Sequence, residues 1–278
     1  MRRLRFLPTA VVLSGIALIT LTGCSAPPTY KKETLAQSLE QLLKEDNLSA
    51  SVKLVDHTLA VHIDYAGSLQ PGDGQRFSDA FDDVLRKGFT DIHRVVLSSD
   101  AQVDFYVFVL SDPKTPGAYL TIVRYLDDVL QANAQMLDTN EFFARAIFKL
   151  NYLDQKQNLK LDQYVQRDIQ LPEFLSWQMA QRIQQRLLEE FGAASSLEVG
   201  RCQGEFRDRQ FAFTLNVAST TPGTLQEGEI QQVFDAATGV IQQVLKSYDF
   251  KGFDSVRLVH LPTGRNVILP KTSVFGLR

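Results

Sequence analysis

Cysteine is nearly absent from this chain: Cys24 and Cys202 are the only two in 278 residues. That excludes a disulfide framework. The four histidines, His57, His62, His93 and His260, with no cluster of thiols beside them, leave too few donors for a structural zinc. Charge of one sign is also lacking. The 29 basic and 32 acidic residues leave a formal −3, which is no electrostatic footprint for nucleic acid. Beyond residue 24 no apolar run approaches the ~18 residues that a membrane-spanning helix needs. Catalytic signatures are scarce as well: there is no Gly-x-Ser-x-Gly elbow and no His-Glu-x-x-His. Gly72-Asp73-Gly74 follows a strand pattern, but Phe77 stands where a dinucleotide loop needs its third glycine, so it reads as a plain loop. No catalytic, metal or cofactor residues are assigned, and no cofactor is expected.

The amino terminus is what stands out. Arg2, Arg3 and Arg5 precede an apolar run from Phe6 to Leu21, which closes on Leu21-Thr22-Gly23-Cys24. The run is too short for a comfortable span and has a signal-peptide layout. Its last four residues resemble the lipobox of bacterial lipoproteins. The resemblance implies cleavage before Cys24, a diacylglycerol (palmitate-like chains) on the Cys24 thiol, and export to the cell envelope. The anchored body would lie on the periplasmic or extracellular face of the cell membrane or outer membrane. Ser25 in the following position, where aspartate tends to retain such proteins at the inner membrane, leans toward the outer one.

Loss of residues 1–23 removes three arginines, and 26 basic against 32 acidic residues gives −6. The body then has no basic face for a bilayer, so the membrane is a partner only through the lipid on Cys24, at ~0.8 kcal/mol per buried methylene. A lipidated Cys24 also leaves Cys202 without an intramolecular partner; we read Cys202 as an inert, partly buried residue in a strand.

Residues 24–32, with two prolines, read as a lipidated tether. Leu35, Leu39, Leu42 and Leu43 predict a helix, with Thr34 and Gln37 spaced as a capping box and Asn47 at its end. Two alternating strands flank a tight turn at Asp56-His57. Phe77, Ala80, Phe81, Val84 and Leu85 predict a helix closed by Lys87-Gly88. Strands are expected at 92–97 and 103–110, the second apolar on both faces and therefore central. Two helical stripes follow, Tyr119-Ile122-Val123-Leu126-Leu130 and Phe142-Phe143-Ala146-Ile147-Leu150, with Arg124 placed to pair with Asp127 and Asp128 on the surface. A helix over 171–191, strands at 197–206 and 211–218, a helix over 228–248 and strands at 255–261 and 266–269 complete the pattern.

Both halves therefore read helix-strand-strand-helix-strand-strand. Asp56-His57-Thr58-Leu59-Ala60-Val61 aligns with Asp208-Arg209-Gln210-Phe211-Ala212-Phe213, and Gly88-Phe89 with Gly252-Phe253, which points to an internal duplication. The expected architecture is α+β: two related α-β-β-α-β-β units with mainly antiparallel sheets, at 33–111 and 171–278, joined by a helical insert at 112–170. That order resembles small repeat modules of envelope lipoproteins and secretion rings. The function expected from the anchor is a membrane-attached, non-enzymatic envelope lipoprotein that serves as a protein-interaction or scaffold module. Two alternatives remain, a carrier of a small apolar ligand and an enzyme whose site gathers His62, Asp64 or His93.

Overall fold

A computed structural model describes residues 29–69, 78–152, 165–192, 197–220 and 225–276. Cys24 and the 72–77 loop lie outside them. The fold is α+β, as the sequence pattern indicates.

In the first unit, α1 (Leu35–Glu45) is followed by the hairpin β1 (Ser49–Val55) and β2 (Thr58–Asp64), then α2 (Asp79–Val96), β3 (Phe105–Ser111) and β4 (Ala118–Tyr125). Asn47 at φ 62 sits just past α1. Leu48 N–H reaches the Leu43 carbonyl at 2.8 Å, so this glycine-free end closes as a Schellman motif. β1 and β2 are antiparallel, β2 and β3 parallel, and β3 and β4 antiparallel. The insert adds α3 (Leu126–Asn133), α4 (Thr139–Arg145) and an edge strand, β5 (Ile147–Tyr152), which extends the sheet to five strands.

The second unit opens with α5 (Leu171–Phe191) and the short strand β6 (Leu197–Val199). β7 (Gln203–Arg207), β8 (Gln210–Leu215) and β9 (Val217–Ser219) follow, then α6 (Glu227–Ser247), β10 (Ser255–His260), β11 (Asn266–Pro270) and a short α7 (Lys271–Phe275). The order β7-β8-β10-β11 repeats the first sheet step for step: antiparallel, parallel, antiparallel. The turns that begin β2 and β8 coincide, with Asp56 and Asp208 both at positive φ. Leu59 and Phe211, aligned in sequence, are both fully buried. The two units thus share one connectivity and one turn position.

Four layers result. α1 and α2 pack on one face of the first sheet through Leu35, Leu39, Val84 and Ile92 against Leu59, Val61, Phe108 and Ile122. The opposite face, with Ala60, Phe105, Val107 and Val123, shares a second core with α5, α6 and the inner face of the second sheet. The stack ends there, because the outer face of the second sheet carries Gln203, Glu205, Arg207 and Arg257, all exposed. A terminal unit with a polar outer face stops further stacking.

Several expectations are corrected. Residues 92–97 are not a strand: α2 runs to Val96, since Ile92, Val95 and Val96 continue the buried stripe beyond Gly88. Gly88 is a close-approach position and not a helix end, because a Cβ there would lie 2.6 Å from Phe108 Cε2. Gly88-Phe89 is accordingly not the counterpart of Gly252-Phe253, which precede β10. Of the stripe from Tyr119, Leu126 and Leu130 are helical in α3, but Tyr119, Ile122 and Val123 belong to β4, buried on both faces, where an apolar run carries no period to separate strand from helix. Ile147 and Leu150 belong to β5, so residues 112–170, expected as a helical insert, hold the strands β4 and β5 beside two helices.

The Thr34 capping box does not form. A 3-10 turn over Lys32–Thr34 leads directly into α1, and Thr34 makes no side-chain cap. Residues 29–32 are also no free tether: Thr29 N–H donates to the Ser98 carbonyl at 2.8 Å and Lys32 N–H to Asp100 Oδ1 at 2.6 Å.

Candidate functional site

The docking of the first sheet on α5 leaves a cleft of about 1110 Å3. Its floor is apolar. Val107 and Val123 come from β3 and β4, Ile147 from the edge strand β5, Val165 from the connector and Trp177 and Ala180 from α5. Ile147 pairs with Val123 and Lys149 with Thr121, all on the α5 side of the sheet, and Phe148 and Leu150 line the cleft as well. Helix α5 holds both walls. Gln181 accepts the Phe148 N–H at 2.8 Å and donates to the Ala146 carbonyl at 3.1 Å, pinning the start of β5. Just under one turn on, Gln184 accepts the Cys202 N–H at 3.3 Å. Between these two pins Lys149 and Arg201 both line the opening.

The lining carboxylates are already engaged. Glu173 takes a forked ion pair from Arg167. Asp168 accepts from the Thr58 hydroxyl at 2.5 Å and from Gln170 Nε2 at 3.2 Å. Thr58 in turn accepts the Ile169 N–H at 2.9 Å, so this fully buried threonine latches the connector to β2.

Cys202 is buried, but it lies in the segment just before β7 and not within a strand as expected, because β6 ends at Val199 and β7 begins at Gln203. Burial pushes its thiol up to about 11, against a smaller pull from a backbone hydrogen bond. It should therefore resist a disulfide reagent at pH 8 in the native protein and react fully once denatured. Rapid native labelling would contradict this. Trp177 lines the cleft as a half-buried core-edge residue.

The residues singled out for catalysis are not brought together. His62 Nε2 meets Ser111 Oγ at 2.7 Å, and Ser111 donates to Asp64 at 3.1 Å. The serine thus stands between histidine and carboxylate, so the carboxylate does not orient the imidazole as a base requires. His93 is on α2, on the opposite side of the sheet, against the Tyr106 hydroxyl at 2.9 Å. Among the described residues no group of three His, Cys, Asp or Glu is placed to hold a metal ion.

Arg124 does not make the surface ion pair expected of it. It is buried in β4 with its guanidinium 4.0 Å from the Phe142 ring centre and one bond to the Phe142 carbonyl. Asp128 pairs instead with Arg145 at 2.7 Å, the two side chains being 3% and 6% exposed. Tyr248 donates to the second Asp128 oxygen at 2.7 Å, and Gln178 donates to Tyr248 at 2.9 Å.

Three histidines, His260 buried and His62 and His93 half-buried, are shifted the same way. Burial lowers His62, His93 and His260, and His93, also facing the Arg124 charge, falls to about 4. A histidine kept neutral by the fold contributes stability above its unfolded pKa of ~6.5 and loses it as pH falls toward the folded value. Stability in urea should accordingly drop between pH 6.5 and about 4 on account of His93. Asp91 and Asp128, pushed up by burial, act in the opposite sense, so His93→Gln isolates the effect by flattening the descent. An unchanged pH slope in that variant would refute the assignment.

No protein-family model, characterised protein or solved structure matches the chain. Among the described residues no helix is long and apolar enough to cross a membrane.

Proposed function

We propose that this chain is a lipid-anchored envelope protein that acts by binding, with the cleft beside α5 as its binding element. The observation that carries the reading is the cleft itself. It is an apolar floor of useful size for a ligand, ringed by a few convergent polar groups. Its chemistry supports binding over catalysis: the thiol is raised and neutral, and both carboxylates are tied up in fixed hydrogen bonds. The anchor rests on Leu21-Thr22-Gly23-Cys24. The membrane is then a partner through acyl chains on Cys24, and the body works at the cell membrane or outer membrane, on its periplasmic or extracellular face.

A protein partner is the second reading. Leu130, Met136, Phe143, Phe148 and Leu150 are exposed apolar side chains within one stretch of α3, α4 and β5. Such a concentration is a usual mark of an interface.

The anchor is tested by labelled palmitate in wild type and in Cys24→Ala, with membrane fractionation. Label and membrane association should both disappear in the variant. Label that persists, or wild type that takes up none, would overturn the anchoring.

A further inference from the structure

Lys149 and Arg201 are the unusual pair in the cleft. Among the described residues no carboxylate lies within ion-pair distance of either, whereas Arg167 beside them is matched by Glu173. Two cations facing one opening repel each other, and the repulsion is felt. Lys149 is held below the ordinary lysine value, first by partial desolvation at the opening and then by the Arg201 charge. Beneath them lie Val107, Val123, Ile147 and Trp177. A site that is cationic at its mouth and apolar along its floor is complementary to a molecule built the opposite way.

We propose that the cleft holds a single-chain anionic lipid, of the fatty-acid kind, with its acyl chain on Val107, Val123, Ile147 and Trp177 and its charged head between Lys149 and Arg201. This rests on the reading that the protein binds through this cleft and adds what is bound. A neutral apolar molecule would fill the floor and leave the two cations unmatched. An extended peptide would need the free edge of β5, but the outward Phe148 N–H is already taken by Gln181. The guanidinium of Arg201 suits a carboxylate or phosphate head by its paired N–H groups, and the Lys149 ammonium completes the charge.

Trp177 is the only tryptophan in the chain and stands in the cleft, so it reports occupancy directly. The full chain in phosphatidylcholine vesicles would be titrated with 9,10-dibromostearate, whose bromines quench indole only on contact. Saturable quenching of Trp177 is expected. Lys149→Gln/Arg201→Gln should raise its midpoint about tenfold or more, one charged interaction being worth at least that factor. The neutral methyl ester should bind weakly and equally to both proteins. Both substituted side chains are exposed, so the double variant should keep the wild-type melting curve.

Equal midpoints for acid and ester would overturn the anionic head while leaving a cleft that binds. Absence of saturable quenching, or quenching relieved by an acidic peptide but not by oleate, would overturn the lipid altogether. Palmitate labelling of Cys24 is independent of each of these outcomes, so the anchor and the ligand fail separately.

Discussion

Replacement of Arg145 by alanine is expected to cost about 3–5 kcal/mol of folding stability, the usual penalty for stranding a buried charge. The Asp128 carboxylate it leaves behind is almost wholly enclosed between α3, α4 and the end of α6, with only the Tyr248 hydroxyl still donating to it. Burial already pushes that carboxyl upward, and the bonds from Tyr248 and Arg145 offset part of the shift. Arg145 also spans Glu141, which binds Arg182 of α5, so its loss loosens the insert from the second unit. Urea denaturation would measure the change as a lowered midpoint. The paired change Arg145→Met/Asp128→Leu should recover most of the loss, since removal of both charges is close to neutral. A single variant within ~1 kcal/mol of wild type would show that the pair is not a buried tie, because that is the range of exposed pairs.

Phe174→Ala is the second large effect, again about 3–5 kcal/mol for a fully enclosed aromatic. Phe174 lies at the first turn of α5, completely buried, with its ring 5.3 Å from Phe105 and 6.3 Å from Tyr125 of the first sheet. It therefore belongs to one unit by sequence and packs on the other. Beyond the lost stability, the denaturation slope should fall as the two units begin to unfold separately. Leu188→Ala on the exposed side of the same helix should stay within about 0.5 kcal/mol. A Phe174→Ala transition as sharp as that of wild type would argue that the units are coupled elsewhere.

Much of the fold was legible because the amphipathic elements speak locally. The α1, α5 and α6 stripes, the alternation of β8 and the paired turns at Asp56 and Asp208 each need only neighbouring residues to be recognised. Elements that failed are those whose surroundings are apolar on both sides. β4 is enclosed by both cores, so Tyr119, Ile122 and Val123 fit a helical stripe as well as a strand. Gly88 looked like a helix stop because its real cause, the Phe108 ring, is contributed by a strand 20 residues away.

The cleft had almost no local signal. Its groups come from β3, β4, β5, the connector, α5 and the approach to β7, and only the docking of the units brings them together. Two traces were present in the sequence: Trp177 falls off the main stripe of its helix, and Arg201 flanks the lone Cys202. Lys149 could not be read as facing the same way as Ile147 while that segment was taken for a helix, since only a period of two aligns them.

The hydrogen bonds that fix Thr29 and Lys32 against Ser98 and Asp100 set a standoff distance. Under the anchoring proposed above, five peptide steps would separate a lipidated Cys24 from Thr29, about 17 Å at full stretch. On so short a leash the body would not reach across a wide compartment. Its Ser98–Asp104 end would be held toward the lipid surface, the Asp56-His57 turn beside it through the bond from Asp104 N–H to the His57 carbonyl. On that proposal, whatever the protein binds would be met within one body length of the membrane.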